Sequence, residues 1–218
     1  IKSRWDGLKL LRKNIGDKNI GYKCHGGYEL FFDYQKIIFD HCYEKIEYLN
    51  KLLNPIFKKN VFSIIETPYN FKNILKKCIY NPFEAQLDVG VMMKNLISNT
   101  ESMGGKIITG ITVKKVNENG KVKINDDFII NAKKVIITTN GFSKKLIDVD
   151  LNPARAQVLI TKTIPNLKIK GVFHIDRGYY YFRNVDNRIL LGGGRHLDKK
   201  REQTSKFGFN EKIQNKLL

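Results

Sequence analysis

Apolar and polar positions alternate in two distinct rhythms along the chain, and the switch between them marks most of its elements. Trp5, Leu8 and Leu11 recur at helical spacing over residues 3–14, with Gly16 placed as a stop. Gly26-Gly27 then reads as a turn feeding a short strand through Tyr28, Leu30 and Phe32. Residues 34–53 carry Ile37, Ile38, Tyr43, Ile46, Leu49, Leu52 and Leu53 on one broad face, which predicts a long amphipathic helix ended by Asn54-Pro55. A short strand over 62–65, a helical turn after Pro68 and a strand over 78–80 follow.

From there the pattern becomes more regular. Asp88 is placed to cap a helix over 89–103, and Gly104-Gly105 to stop it. A strand is expected at 106–109. Residues 112–117 and 121–125 flank Asn119-Gly120, a strong hairpin signal, and 128–130 extends the pair into a meander. The β-branched run 135–139 predicts a further strand opening onto Asn140-Gly141. After Pro153, strands are expected at 157–163, 172–175, 179–183 and 188–191, with Gly192-Gly193-Gly194 interrupting them. The order of helix, strand, three-stranded meander, strand and glycine turn indicates a mixed α/β chain. No linker separates its halves, so they are expected to interleave.

Composition narrows the class. In 218 residues, 42% are hydrophobic and 28% charged, enough apolar surface for a core and too much for disorder. No run of about 18 apolar residues exists to cross a membrane, and the first residues show no secretory signal pattern. The three cysteines are odd in number and form no CxxC pair, which fits a reducing, cytoplasmic setting. The net charge of +18 invites a nucleic-acid reading. Its lysines are scattered in ones and twos at element ends, however, so no specific nucleic-acid surface is expected. The chain opens on Ile1 and closes on Leu217-Leu218 inside continuing patterns, as a fragment would.

Several chemistries lack their signatures. No GxGxxG, GxxxxGK[ST] or GxSxG occurs, and His25, His41, His174 and His196 have neither mutual spacing nor a Cys partner suited to a metal. The informative stretch is 171–195. On a strand, Tyr179, Tyr181 and Arg183 share one face and Tyr180 and Phe182 the other. Two phenols and a guanidinium could form a carboxylate-binding wall. Equally, they could be aromatic cross-strand pairs beside a solvated Arg. Three consecutive glycines after an apolar strand favour the first, because bare backbone admits a flat or anionic ligand. His174, Asp176 and Arg177 read as an exposed turn ahead of that strand rather than as acid-base groups.

Taken together, RWDGLKLLR, HGGYELF, QLDVGVMMKNLIS, VIITTNGF, RAQVLIT and GYYYFRNVDNRILLGGGR resemble, in order, the FAD-dependent amine and amino-acid oxidoreductases. That family includes D-amino-acid oxidase, glycine oxidase and sarcosine oxidase. The resemblance implies an FAD-binding, Rossmann-like part at 86–150, interleaved with an antiparallel-sheet substrate domain contributed by 1–85 and 151–218. It implies Val113 against the adenine and Thr139, Asn140 and Gly141 near the diphosphate and ribitol. Gly192, Gly193 and Gly194 are implied beside the flavin ring, and Arg183 on the substrate carboxylate with Tyr179 and Tyr181 around it. The family's N-terminal GxGxxG unit, its ribose-binding acid and its C-terminal glycine segment are absent from this sequence. The implied chemistry is hydride transfer from an amine-bearing carbon of a small amine or amino acid to flavin, giving an imine that hydrolyses. A dehydrogenase passing electrons to a quinone or another flavoprotein is the alternative within flavoenzymes, and a basic nucleic-acid-binding module the alternative outside them. The sequence leaves the electron acceptor and oligomeric state open.

Overall fold

The computed structural model describes residues 1–125 and 128–218. Helix α1 spans Lys2–Ile15 and ends where Gly16 takes a positive φ of 89°. Strand β1 (Gly27–Leu30) follows, then helix α2 (Lys36–Phe57). Strands β2 (Ser63–Glu66) and β3 (Lys77–Asn81) flank a single-turn helix at Pro68–Asn70. Helix α3 (Val89–Ser102) begins as expected, the Asp88 carboxylate accepting the Val91 N–H at 2.9 Å. The meander forms from β4 (Val113–Val116), β5 (Lys121–Ile124) and β6 (Phe128–Asn131).

Strands β7 (Gln157–Ile160), β8 (Val172–Ile175), β9 (Tyr180–Val185) and β10 (Arg188–Gly193) come next, and short helices α4 (Lys199–Glu202) and α5 (Glu211–Leu217) close the chain. The strands make two sheets. One has the order β2-β3-β1-β8-β9-β10-β7, and the other is the separate antiparallel meander. The large sheet is antiparallel except at its centre, where β1 and β8 run parallel, with Gly27 opposite Val172 and Leu30 opposite Ile175. Segments distant in sequence therefore meet in the middle of one sheet.

Its core lies on one face. Leu30, Cys78 and Phe173 are buried there, and Tyr28, Ile65, Phe71, Ile74, Ile169, Ile175 and Phe182 pack around them. Phe173 is stacked between Tyr28 and Phe182, with ring centroids 4.9 and 4.8 Å away, and Phe71 meets it edge-on. Burial pushes the Cys78 thiol up to about 11, so it stays a neutral packing group.

Four sequence expectations are corrected. Helix α2 does not stop at Asn54-Pro55 but carries Pro55 inside its last turn, ending at Lys58 with φ 57°. Proline there forfeits one backbone bond. The turn is held because Phe57 packs against Trp5 at 4.9 Å and Phe83 at 4.7 Å, and the Lys58 N–H still reaches the Asn54 carbonyl at 2.8 Å. The runs 106–109 and 135–139 are not strands. Backbone groups need a neighbouring ladder to make a strand, and these runs have none among the described residues, leaving Ile108 69% and Ile136 84% exposed. Lastly, the glycines do not interrupt the sheet at Gly192: β10 continues through Gly192 and Gly193, paired to β7 and β9.

Phe173→Ala should cost about 3–5 kcal/mol, since the ring is wholly enclosed by other rings that cannot close over the void. Phe173→Leu should cost less. Denaturant unfolding, read as a shift in midpoint at constant slope, checks both.

Candidate functional site

The sheet face opposite the core has an unusual composition. Register places Glu29 of β1, His174 of β8, Tyr181 of β9, Gly192 of β10 and Val158 of β7 in one transverse row. The next row on that face runs Gly27, Val172, Arg183, Leu190 and Ile160. Helix α2 shields the β1 side: Phe39 packs edge-on against Phe31, Phe39 and Tyr43 share a cavity with Ile64, and Cys42 is close enough to Glu29 for the carboxyl to raise its thiol further beyond the effect of burial. The Asn50 amide ties the helix down, donating to the Phe62 carbonyl at 2.8 Å and accepting the Val61 and Phe62 N–H groups at 2.8 and 2.9 Å.

Arg183 borders an open cavity of about 580 Å³ shared with Lys23, Gln86, Leu87, Gly171 and Asn184. Its guanidinium donates to the Leu87 carbonyl at a long 3.4 Å, which leaves its fork largely uncommitted. Tyr181 shares its strand and face, and its ring lies over Gly192 in the space a Cβ would take. Tyr179 does not join them in the strand. It sits one residue before β9, in a turn where Asp176, Arg177 and Gly178 all have positive φ, and its ring packs on His196 at 4.0 Å. Gly193, at φ 125°, presses against the Tyr179 carbonyl, which accepts the Gly194 N–H at 3.0 Å.

The other sequence-predicted residues fall in two places. Val113 opens β4 in the meander, opposite Ile124 and away from the large sheet. Thr139, Asn140 and Gly141 form the start of a short helical segment, with the Thr139 hydroxyl 3.1 Å from that of Ser143. Asn140 and Gly141 line a cavity of about 420 Å³ with Pro153, Arg155, Thr204 and Phe207. Arg155 leads into Gln157, which pairs with Gly193, so Asn140-Gly141 and the glycines of β10 lie toward the same end of the sheet. Buried Glu202 organises that end. Burial opposes its ionisation, but bonds from Gln157 at 2.8 Å and Arg155 at 2.9 Å, with Asn210 beyond, overcome this and hold the carboxyl below its ordinary range. The Arg155 Nε is buried with no partner among the described residues. A buried donor of that kind beside Asn140 and Gly141 suits a polar or anionic group bound there.

Sequence reasoning missed a cluster on the open face. His174 is not in an exposed turn but inside β8, its Nε2 2.6 Å from a Glu84 oxygen. The bond from Glu84 raises the imidazole pKa, burial partly opposes it, and Glu29 adds to the rise. Glu29 is itself raised, mainly by burial. The Glu84 carboxyl fills the space beside Gly27 where a side chain would otherwise stand. The available signal was a charged or imidazole group at alternate positions of two apolar strands, Tyr28-Glu29-Leu30 and Phe173-His174-Ile175.

Comparison with known proteins decides the family. The chain matches the DAO family, described as FAD dependent oxidoreductase, over residues 4–218. It belongs to that family. The fold agrees with glycine oxidase from Bacillus cereus ATCC 14579 at a TM-score of 0.72 and 16% identity, covering 99% of this chain and 60% of that one. L-proline dehydrogenase from P. horikoshii gives 0.71 and 17%, covering 97% and 59%. Iminodiacetate oxidase (IdaA) from Chelativorans sp. BNC1 gives 0.68 and 16%, covering 99% and 59%. This DAO-family chain thus spans about three-fifths of the solved structures it matches. No curated protein matches it. The family's cofactor is FAD, which sets the nucleic-acid module aside. No helix among the described residues is long and apolar enough to cross a membrane.

Two outcomes follow from this geometry. Gly193→Ala should destabilise by more than Gly192→Ala, because the first meets backbone at a positive φ whereas the second meets a ring that can swing away; thermal unfolding of both variants checks the order. The raised His174 pKa means its pairing with Glu84 stabilises the fold fully below the ordinary imidazole value of 6.5 and is lost as pH rises through the raised one. Glu84→Gln should flatten that loss, measured by urea unfolding from slightly acid to slightly alkaline pH.

Proposed function

We propose that this chain forms much of a flavoenzyme that oxidises a small amino acid, with Arg183 reading the substrate carboxylate. The observation that carries this reading is an uncommitted guanidinium at the edge of an open cavity, on the same sheet face as Tyr181 and Gly192. Its planar fork can hold a carboxylate bidentately, which orients the α-carbon. Tyr181 supplies a flat wall, and Tyr179 packs at the strand entrance. Similar folds bearing the names glycine oxidase, L-proline dehydrogenase and iminodiacetate oxidase favour such a substrate, since each named molecule carries an amine and a carboxylate on one carbon.

In this reading Val113, Thr139, Asn140 and Gly141 contact the nucleotide and diphosphate side of FAD, and Gly192, Gly193 and Gly194 border its ring. The orphaned Arg155 Nε beside Asn140 and Gly141 supports their part. Bound FAD supplies the hydride acceptor. The chain's own residues bind the carboxylate, aim the α C–H and keep water from the reacting carbon. Residues 86–150 would then belong to the cofactor domain, with 1–85 and 151–218 forming the substrate domain. The pooling of β1–β3 and β7–β10 in one sheet supports this division, as does the separate sheet that β4–β6 form. A cytoplasmic setting is favoured by Cys24, Cys42 and Cys78, all free thiols.

In the flavin-loaded protein, Arg183→Ala should lower kcat/KM for a responsive amino acid by about 2–5 kcal/mol in transition-state binding while leaving FAD content unchanged. The corresponding decarboxylated amine should be affected far less. Equal losses on acid and amine would show that Arg183 does not read the carboxylate.

A further inference from the structure

We infer that His174, held by Glu84, is the base that takes the proton from the substrate's ammonium group before oxidation. This rests on the amino-acid reading above. Hydride can leave the α-carbon only when the nitrogen lone pair is free to form the C=N bond, whereas an amino acid reaches the site as an ammonium ion. A group that removes one proton on the spot is therefore useful, and it needs three properties: a free lone pair, a proton affinity matched to its task, and a place beside the carboxylate clamp.

His174 has all three. Its Nε2 faces a Glu84 carboxyl oxygen at 2.6 Å, so the carboxylate draws the ring proton to Nε2 and leaves the Nδ1 lone pair free. No described residue bonds Nδ1, and the side chain is part-exposed. The same arrangement of carboxylate, imidazole and free nitrogen underlies general-base histidines elsewhere. The imidazole's proton affinity is raised by the Glu84 bond and further by Glu29, with only burial opposing. As for place, His174 stands directly across from Tyr181, and Arg183 lies two residues further along that strand on the same face. Such diagonal positions are about 7–8 Å apart along the sheet, so guanidinium and imidazole rise from neighbouring points of one face, as a ligand with a carboxylate and an amine on one carbon requires. Both side chains also lean on one loop, His174 on Glu84 and Arg183 on the Leu87 carbonyl.

The step balances. The ammonium N–H bond breaks as Nδ1–H forms, giving a neutral amine and an imidazolium paired with the Glu84 carboxylate. Bound FAD would accept the hydride that leaves the α-carbon, and the neutral amine produced at His174 would carry the lone pair that closes the C=N bond. The charged or titratable groups facing His174 are Glu84 from the loop after β3, Glu29 from β1 and Tyr181 from β9, with Cys42 of α2 behind Glu29.

The test is the pH profile of kcat/KM in the flavin-loaded protein for wild type, Glu84→Gln and His174→Asn, using one amino acid that the wild type oxidises. Wild type should lose activity on the acid side as His174 protonates. Glu84→Gln should move that limb to lower pH, since the bond that raises the imidazole is lost. His174→Asn should be slower by about 100-fold near neutrality, with the deficit shrinking as pH approaches the substrate's own amine pKa, where substrate arrives already neutral. Flavin absorbance per protein confirms that each variant is folded and loaded. A wild type that oxidises the amino acid while both variants keep its acid limb overturns this inference alone. A wild type that oxidises no amine or amino acid overturns the functional reading and this one together.

Discussion

The parallel pairing of Gly27–Leu30 with Val172–Ile175 holds the rest of this structure in place. It joins two hairpin-like groups of strands, one from each flank of the chain, into a single sheet. The pairing joins Gly27 to Val172, far apart in sequence, so it bears a loop-closure cost. Its compensation is burial. Leu30 and Phe173 are enclosed on one side of the pair, and Tyr28, Phe173 and Phe182 stack across three adjacent strands. Parallel strands are stable only when well covered, and the aromatic layer supplies that cover.

The same pairing determines the opposite face. Side chains alternate along a strand, so a register that buries Tyr28 and Phe173 must send Glu29 and His174 the other way, into line with Tyr181 and Gly192. A one-residue slip would bury the carboxylate and imidazole and expose the phenylalanine. Core packing and site geometry are thus two consequences of one register. Helix α2 covers the β1 side of this face and leaves the β8–β10 side open, where Arg183 meets the cavity.

Charge is handled in two different ways. On the C-terminal side, Glu202 is buried and kept ionised by Arg155 and Gln157, bonds that tie α4 to β7 and the segment leading into it. On the open face, Glu84 and His174 form a pair of intermediate exposure in which the carboxylate raises the imidazole's proton affinity. A buried carboxylate held by several donors favours rigidity, whereas a part-exposed imidazole retains the freedom to exchange a proton. The division suits a protein in which one end positions a cofactor and the other handles substrate, as proposed.

Local sequence determined what local physics controls. Asp88 caps α3, Gly16 ends α1, Asn119-Gly120 turns the meander, and the ordered motifs carry the family, because caps, tight turns and periodic faces depend on residues a few positions apart. Where neighbours distant in sequence intervene, the reading failed. Pro55 stays helical because Trp5 and Phe83 grip Phe57, two residues on, and 135–139 is no strand because a β-branched run cannot pair with itself. Arg183 and Tyr181 were visible as alternate positions of one strand. The pairing of His174 with Glu84, 90 positions apart, was not. Nothing in either residue's surroundings along the chain specifies its partner; only the register of β1 on β8, and the loop that β3 carries over Gly27, brings them within hydrogen-bonding distance.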